Sequence, residues 1–283
     1  MTGYRLLDSG YGEKLEQFGK YTLVRPSPQA VWAPHCPETV WHEADARFSR
    51  GWHRDEEGGW DGSLPSKWTL DLEGISLTLS PTNFGHLGIF PEHAVIWRQL
   101  RSFIAANKGV TNFLNLFAYS GAATLVAAKA GAEVCHLDAS KGMVDWARAN
   151  AVVSGLEQAP IRWIVDDACK FLRREIKRGR RYNLILLDPP TFGRGAQGEV
   201  FKIERDLSEL LDLLRQLLPV DSSASRVILS THTAGWTPRV LGYLLEQHFG
   251  PSSAPLETGE LLLEGSEEGV LAIPSGSYAS WST

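Results

Sequence analysis

Three aspartates, each closing an apolar run, are the residues of this chain best suited to chemistry. Asp188 follows the run at 183–187 and opens the turn Asp188-Pro189-Pro190-Thr191-Phe192. A proline locks φ and has no amide donor, so this turn leaves carbonyl oxygens exposed beside the Asp188 carboxylate. Such acceptors can hold the N–H of an amine and align its lone pair for an in-line displacement. Pro189 and Pro190 thus share the reaction turn with Asp188. Thr191 and Phe192 are candidates to lie against the group held there. Arg194, in the glycine-rich loop 193–198, could meet a phosphate or gate access. A purely structural turn at a strand end is the alternative. Asp138 and Asp167 stand after the runs 133–137 and 161–165. Asp167 directly precedes Ala168, and a carboxylate next to a helix N-terminus is cheap to keep charged. A plain N-cap is the other reading of Asp167, and both roles can hold at once.

These acids need parallel strands to bring them to one edge, and the stretch 112–150 supplies the first pair. Residues 112–116 read as a buried strand. Phe117, Ala118, Tyr119, Ser120 and Gly121 then form a turn of mostly small residues, where a ligand can approach the backbone closely. Residues 124–130 are Ala-rich and helical, Gly131 stops them, and 133–137 resume a strand ending at Asp138. Ala139 and Ser140 follow, with Ser140 as the N-cap of a helix to 153 that carries Trp146 as core. Asp138 lies seventeen residues past Gly121, near the ~20 expected for a carboxylate that binds a ribose. Two cofactor classes use this strand–turn–helix–strand–acid unit, dinucleotides and S-adenosylmethionine. A dinucleotide needs a Gly-rich turn for its pyrophosphate. Here one glycine stands in the turn and no GxGxxG is present, which a cofactor without phosphate tolerates.

Taken in order, NLFAYSG, LDAS, VDDA and LDPPTF resemble the class I S-adenosylmethionine-dependent methyltransferases. More narrowly they are similar to the bacterial family that modifies large-subunit ribosomal RNA. The resemblance covers roughly residues 80–230. It implies an α/β fold, a Rossmann-like seven-stranded sheet, and S-adenosylmethionine as cofactor. It implies that Asp167, with Ala168, takes the adenine amino group. It also implies that His86, Gly88 and Phe90, in PTNFGHLGIFPE, pack over the cofactor; a linker turn covering the sheet edge is the bland reading. The expected substrate is RNA, methylated at a base nitrogen. Methylation of a protein side chain or a small molecule stays open, favoured by the net charge of −5 and by the lack of a recognised RNA-binding domain. A module that binds the cofactor without catalysis is a further alternative, against which the intact Asp188-Pro189-Pro190 argues. Carbon-5 methylation of cytosine would need a thiolate nucleophile. The places where relatives put it hold Pro190-Thr191 and Ser230-Thr231-His232, while Cys36, Cys135 and Cys169 look structural. His232 is either a base near the fifth strand or a hydrogen-bonded structural residue.

With 283 residues, one large domain plus a small one is expected, here 1–75 and 76–283. Residues 1–75 are dense in Gly, Pro and Trp, and strands are expected at 21–24, 67–72 and 75–79. Trp32, Trp41, Trp52, Trp60 and Trp68 either fill the core of this β-rich part or form a surface on which bases stack. His35, Cys36, His42 and His53 match no zinc spacing, and no metal is expected. A charge of −5 argues against a protein that wraps nucleic acid, so any RNA contact must be a local patch. The basic run at 173–181 is read first as a solvated helix end. Three cysteines without paired spacing, a polar N-terminus and the lack of any apolar run near ~20 residues point to a reduced, cytoplasmic protein with no membrane span. The remaining elements are helices at 93–106, 169–177, 203–218 and 238–248, a fifth strand at 227–230, and a last antiparallel pair at 256–263 and 269–273.

Overall fold

The structure is a computed structural model and describes residues 3–49, 58–195, 198–220 and 224–283. Trp52 and His53, and Ala196 and Gln197 of the loop read at 193–198, lie outside the described residues. The chain divides into two compact units, Met1–His93 with Leu262–Ser275, and Ala94–Leu261 with Gly276–Thr283.

In the amino-terminal unit, strands β1 (Tyr4–Gly10), β2 (Glu13–Phe18), β3 (Tyr21–Pro26), β4 (Ala46–Ser49) and β5 (Gly59–Gly62) form one sheet in that order, with helix α1 (Glu38–His42) between β3 and β4. Strands β6 (Trp68–Leu72) and β7 (Ile75–Leu79) make a separate antiparallel hairpin. A boundary at 75/76 would cut β7 at its first residue; the unit runs on to His93. β1 and β2 escape the hydrophobic pattern because their charged residues are inside. Glu16 is fully buried and paired with Arg25, Nε to Oε2 at 2.7 Å. Of the described tryptophans in this unit Trp41 is buried and Trp32, Trp60 and Trp68 are half-buried. The Trp41 indole donates to Asp8, that of Trp32 to the Ser9 carbonyl and that of Trp60 to the Thr82 carbonyl. Trp68 packs edge-on against Tyr21.

The second unit opens with α2 (Ala94–Ala106). It continues through β8 (Asn112–Leu116), α3 (Ala122–Lys129), β9 (Glu133–Asp138), α4 (Lys141–Val153), β10 (Ile161–Val165), α5 (Ala168–Lys177) and β11 (Leu184–Leu187). Then come β12 (Phe192–Arg194), β13 (Val200–Lys202), α6 (Ile203–Arg215), β14 (Arg226–Thr231), α7 (Pro238–Phe249), β15 (Glu257–Leu263) and β16 (Ile273–Ser282). The seven-stranded sheet runs β10-β9-β8-β11-β14-β16-β15. Its first five strands are parallel and β16 is antiparallel to β14. This is the Rossmann-like α/β sheet expected from the sequence. Alternate residues feed the two faces. Leu114, Leu116, Ile185, Leu187, Val227 and Leu229 pack with the apolar stripes of α5, α6 and α7. The other parity, including Asn115 and His136, meets α3 through Thr124. With both faces covered, β11 is buried at every residue, which is why it reads as Leu-Ile-Leu-Leu rather than alternating.

Two expectations change. The last strand is 273–282, not 269–273: the sequence IPSGSYASWS breaks up its apolar pattern, yet it pairs with β14 from Arg226↔Ser282 to Thr231↔Ser277. The segment read as a flexible loop at 193–198 is flanked by a small antiparallel hairpin, β12 on β13, so Phe192 and Arg194 sit on a strand.

Candidate active site

Strand order reverses about β8 and β11, and a crevice outside the carboxyl ends of the strands is where ligands bind in such sheets. The chain puts its three aspartates there, at the ends of β9, β10 and β11.

The turn after β8 is an unusual piece of backbone. Phe117 has φ 56°, Tyr119 φ 51° and Gly121 φ 90°, all left-handed, and only the last is glycine. Such strain persists only when the surroundings impose it. Asp138 holds it at Tyr119: one carboxylate oxygen accepts from the Tyr119 amide at 2.9 Å, the other from the Ser140 amide at 2.8 Å. Burial raises the Asp138 pKa, and these two hydrogen bonds oppose the rise. Asn150 on α4 donates to the Ser120 carbonyl at 2.9 Å and ties the turn from the other side. Gly121 is needed for its φ and for its neighbour. A Cβ there would sit 2.9 Å from the Ala147 Cβ, so the missing side chain admits helix α4 rather than a ligand. Ala139 follows Asp138, and Ser140 caps α4 as expected, accepting from Met143.

Beneath the turn lies a buried polar chain absent from the sequence reading. Asn115 donates to Thr124 Oγ1 at 3.0 Å, and Thr124 Oγ1 meets His136 Nδ1 at 2.9 Å. Burial, with help from the Arg148 charge, pushes the His136 imidazole down to about 3, so it is neutral. Its Nε2 has no hydrogen-bond partner among the described residues, and the ring lies 4.9 Å from that of Trp163.

At the end of β10, Asp167 is the N-cap of α5 and accepts from Lys170 at 2.9 Å, with buried Ala168 as the first helical residue. Asp166 is engaged elsewhere, paired with Arg174 and accepting from the Asp167 amide.

At the end of β11, Ser230 Oγ donates to Asp188 Oδ1 at 2.8 Å, and His232 Nε2 stands 3.9 Å from Oδ2. The Asp188 side chain keeps 22% of its surface exposed and His232 33%. Thr231 Oγ1 donates to Thr233 Oγ1 at 2.9 Å and reaches the Pro189 carbonyl at 3.5 Å. Thr191 and Thr233 share a hydroxyl contact at 2.8 Å. The Asp-Pro-Pro turn is thus fastened to the end of β14. Thr191 turns its hydroxyl into that fastening. Phe192, 48% exposed, carries the Arg194 guanidinium 5.7 Å over its ring. On the opposite face of the hairpin, Phe201 packs at 5.2 Å against Phe117 of the first turn. Ser230 was legible in principle: parallel register pairs Leu187 with Leu229, so the next residues, Asp188 and Ser230, are neighbours.

His86 and Phe90 belong to the amino-terminal unit, where their rings meet edge-on at 5.3 Å and Phe90 also neighbours His93 at 6.2 Å. The cysteines are held as thiols: burial pushes Cys135 and Cys169 up to about 11 and raises Cys36.

The turn after β8 also selects among cofactors. The amides of Ala118, Tyr119 and Gly121 are spent on Leu137, Asp138 and Ala118 within the protein, so they are not a cradle for a pyrophosphate. The site fits a nucleoside cofactor that carries no phosphate. Fold and site together define a Rossmann-like S-adenosylmethionine-dependent methyltransferase. The family model of that description matches residues 51–231, and the chain belongs to this family. The crystal structure of an S-adenosylmethionine-dependent methyltransferase from Agrobacterium tumefaciens is similar over 99% of this chain and 90% of its own, with TM-score 0.92 and 38% identity. Ribosomal RNA large subunit methyltransferase K/L of Ectopseudomonas mendocina is 38% identical over 149 residues, 50% of this chain and 18% of that protein. Ribosomal RNA large subunit methyltransferase K of Neisseria meningitidis serogroup B is 26% identical over 225 residues, 75% of this chain and 62% of that protein. The chain therefore spans less than two thirds of the length of these curated relatives. No helix among the described residues is long and apolar enough to cross a membrane.

Proposed function

We propose that this chain methylates RNA at a base nitrogen. The observation that carries the reading is Asp188, held by Ser230 through one oxygen and still partly exposed beside the Pro189-Pro190 turn. When bound, S-adenosylmethionine supplies a methyl group on a sulfonium, already a good leaving group, so the protein's task is chiefly to position the nitrogen. Asp188 accepts the N–H of the target and turns its lone pair toward the methyl carbon. The cofactor would keep the electron pair of the broken C–S bond, and Asp188 or water would take the proton that the methylated nitrogen loses. Phe192 offers its exposed ring to a base, and Arg194 its charge to a phosphate. Thr191 holds the turn that carries them. The turn from Phe117 to Gly121, with Asp138, Ala139 and Ser140, receives the ribose side of the cofactor, and Asp167 and Ala168 the adenine.

Nitrogen is favoured over carbon by the thiols. No cysteine stands between residues 183 and 237, and Cys135 and Cys169 are held protonated. RNA is favoured by the two relatives named for ribosomal RNA, and a cytoplasmic location belongs to the same proposal. The test is transfer of labelled methyl into total RNA, protein and metabolites from cells lacking this gene. Label in RNA as an N-methylated nucleoside is expected. Label as 5-methylcytidine would refute the nitrogen assignment, and label only in protein or metabolites would refute the RNA substrate.

A further inference from the structure

The amino edge of the large sheet, opposite the reaction turn, carries a cleft that the chemistry above does not use. It has a volume of about 320 Å³ and is lined by Asn112, Pro160, Arg162, Arg180, Arg181 and Tyr182, with Glu133 as its one acidic side chain. It adjoins the most basic stretch of the chain. Residues 170–181 hold seven Lys and Arg against one Glu, in a protein whose net charge is −5.

The arrangement is not a loose fringe of solvated side chains. Glu175 is fully buried and gathers three partners. Arg162 meets it with both ends of its guanidinium, at 3.0 and 3.3 Å, Arg178 at 2.9 Å and the Tyr182 hydroxyl at 2.5 Å. Burial raises this carboxyl, but hydrogen bonds from Arg162, Tyr182 and Arg178 outweigh it and hold the group at about 2. One buried negative charge therefore fixes Arg162, which lines the cleft, and Arg178, which does not. Arg173, Arg174 and Lys170 are spent on Glu209, Asp166 and Glu199. Arg181 donates to the carbonyl of Arg180 and has no carboxylate partner among the described residues. Arg180, exposed, has no side-chain partner among the described residues. The guanidinium of Arg162 is thus held by Glu175 at both ends, and the cleft offers beside it the guanidiniums of Arg180 and Arg181, which have no carboxylate partner among the described residues. Planar forks of this kind match phosphate oxygens bidentately.

We propose that this arginine-lined cleft at the amino edge of the sheet binds phosphates of the RNA backbone, as a second contact away from the reaction turn. The inference rests on the RNA reading above. The distance is compatible. The five residues of β10 span ~17 Å at ~3.3 Å each, about five nucleotides stacked at ~3.4 Å. A folded RNA whose target base lies at the carboxyl edge can lay a neighbouring strand along the sheet flank to the cleft. A concave wall of forked donors suits phosphate better than the carboxylates of an acidic protein. The local patch also resolves how a chain of net negative charge holds a polyanion.

The experiment compares the intact protein with Arg180→Gln/Arg181→Gln, using fluorescence anisotropy of a fluorescein-labelled ribosomal RNA fragment over a salt series. The double variant is expected to bind about tenfold more weakly, with the slope of log K against log salt reduced by about 1 to 2. S-adenosylhomocysteine affinity is expected to be unchanged, which shows the fold intact. Wild-type RNA binding with equal affinity and slope in the variant overturns the cleft and leaves the RNA reading standing. No RNA binding by the wild-type chain overturns both. Weakened binding of poly-glutamate with RNA binding unchanged overturns the cleft as an RNA site in favour of an acidic partner.

Discussion

Replacing Asp138 by alanine separates what holds the cofactor turn from what holds the fold. Its carboxylate accepts the amides of Tyr119 and Ser140. Ser140 is exposed, so water can take over that bond, whereas Tyr119 sits half-buried in a left-handed conformation that nothing else in its own side chain favours. The loss falls mainly there and amounts to ~1.5–3 kcal/mol for one charge-assisted hydrogen bond. Removing Asp138 also removes a buried charge. Its pKa is raised in the folded protein, so the ionised carboxylate opposes folding, and global stability falls by less than the turn loses. Cofactor binding requires the turn and feels the full loss, about 10- to 150-fold in affinity at ~1.4 kcal/mol per tenfold. Calorimetric titration with S-adenosylhomocysteine, beside urea unfolding of the same protein, reads both quantities. Affinity within twofold of wild type would refute the role of Asp138. An equal loss in stability and in binding would show that the clamp serves the whole sheet rather than the turn.

Two further outcomes follow from the buried groups under the turn. His136 titrates near 3 in the folded protein and near ~6.5 unfolded, so stability is full above pH ~6.5 and declines as pH falls toward 3. Between pH 7 and 5 its share of the loss is about 2 kcal/mol, and His136→Gln should lose that much less in urea unfolding at the two pH values; equal pH dependence would contradict the buried neutral imidazole. Gly121→Ala places a methyl 2.9 Å from Ala147 at φ 90°. It should cost about 2–5 kcal/mol, of which Ala147→Gly in the same chain recovers only the packing part, ~1–3 kcal/mol. Stability within ~0.5 kcal/mol of wild type would refute the close approach.

The parallel half of the sheet was legible because its strands are short, mostly apolar runs, three of which lead to an acid, Asp138, Asp167 or Asp188. Periodicity failed where polarity and burial part company. β2 hides Glu16 with Arg25, and β16 follows Ile273 with Pro274, Ser275 and Gly276 and buries the polar Ser277 and Ser280, so both look unlike strands. The hairpin of β12 and β13 was masked by Gly193, Gly195 and Gly198, which read as loop. At the site, the acids were visible but their holders were not. Ser230 reaches Asp188 only through the parallel register of β11 and β14, and Asn150 reaches Ser120 only because α4 packs against Gly121. The sequence gives no sign that the absent Gly121 side chain makes room for a helix instead of a ligand.

The most direct test of the central claim is Asp188→Ala, measured for S-adenosylhomocysteine binding and for methyl transfer to RNA in the same preparation. Cofactor affinity near wild type with transfer abolished is the predicted result. Transfer at the wild-type rate would contradict the assignment of Asp188 as the group that positions the methyl-accepting nitrogen.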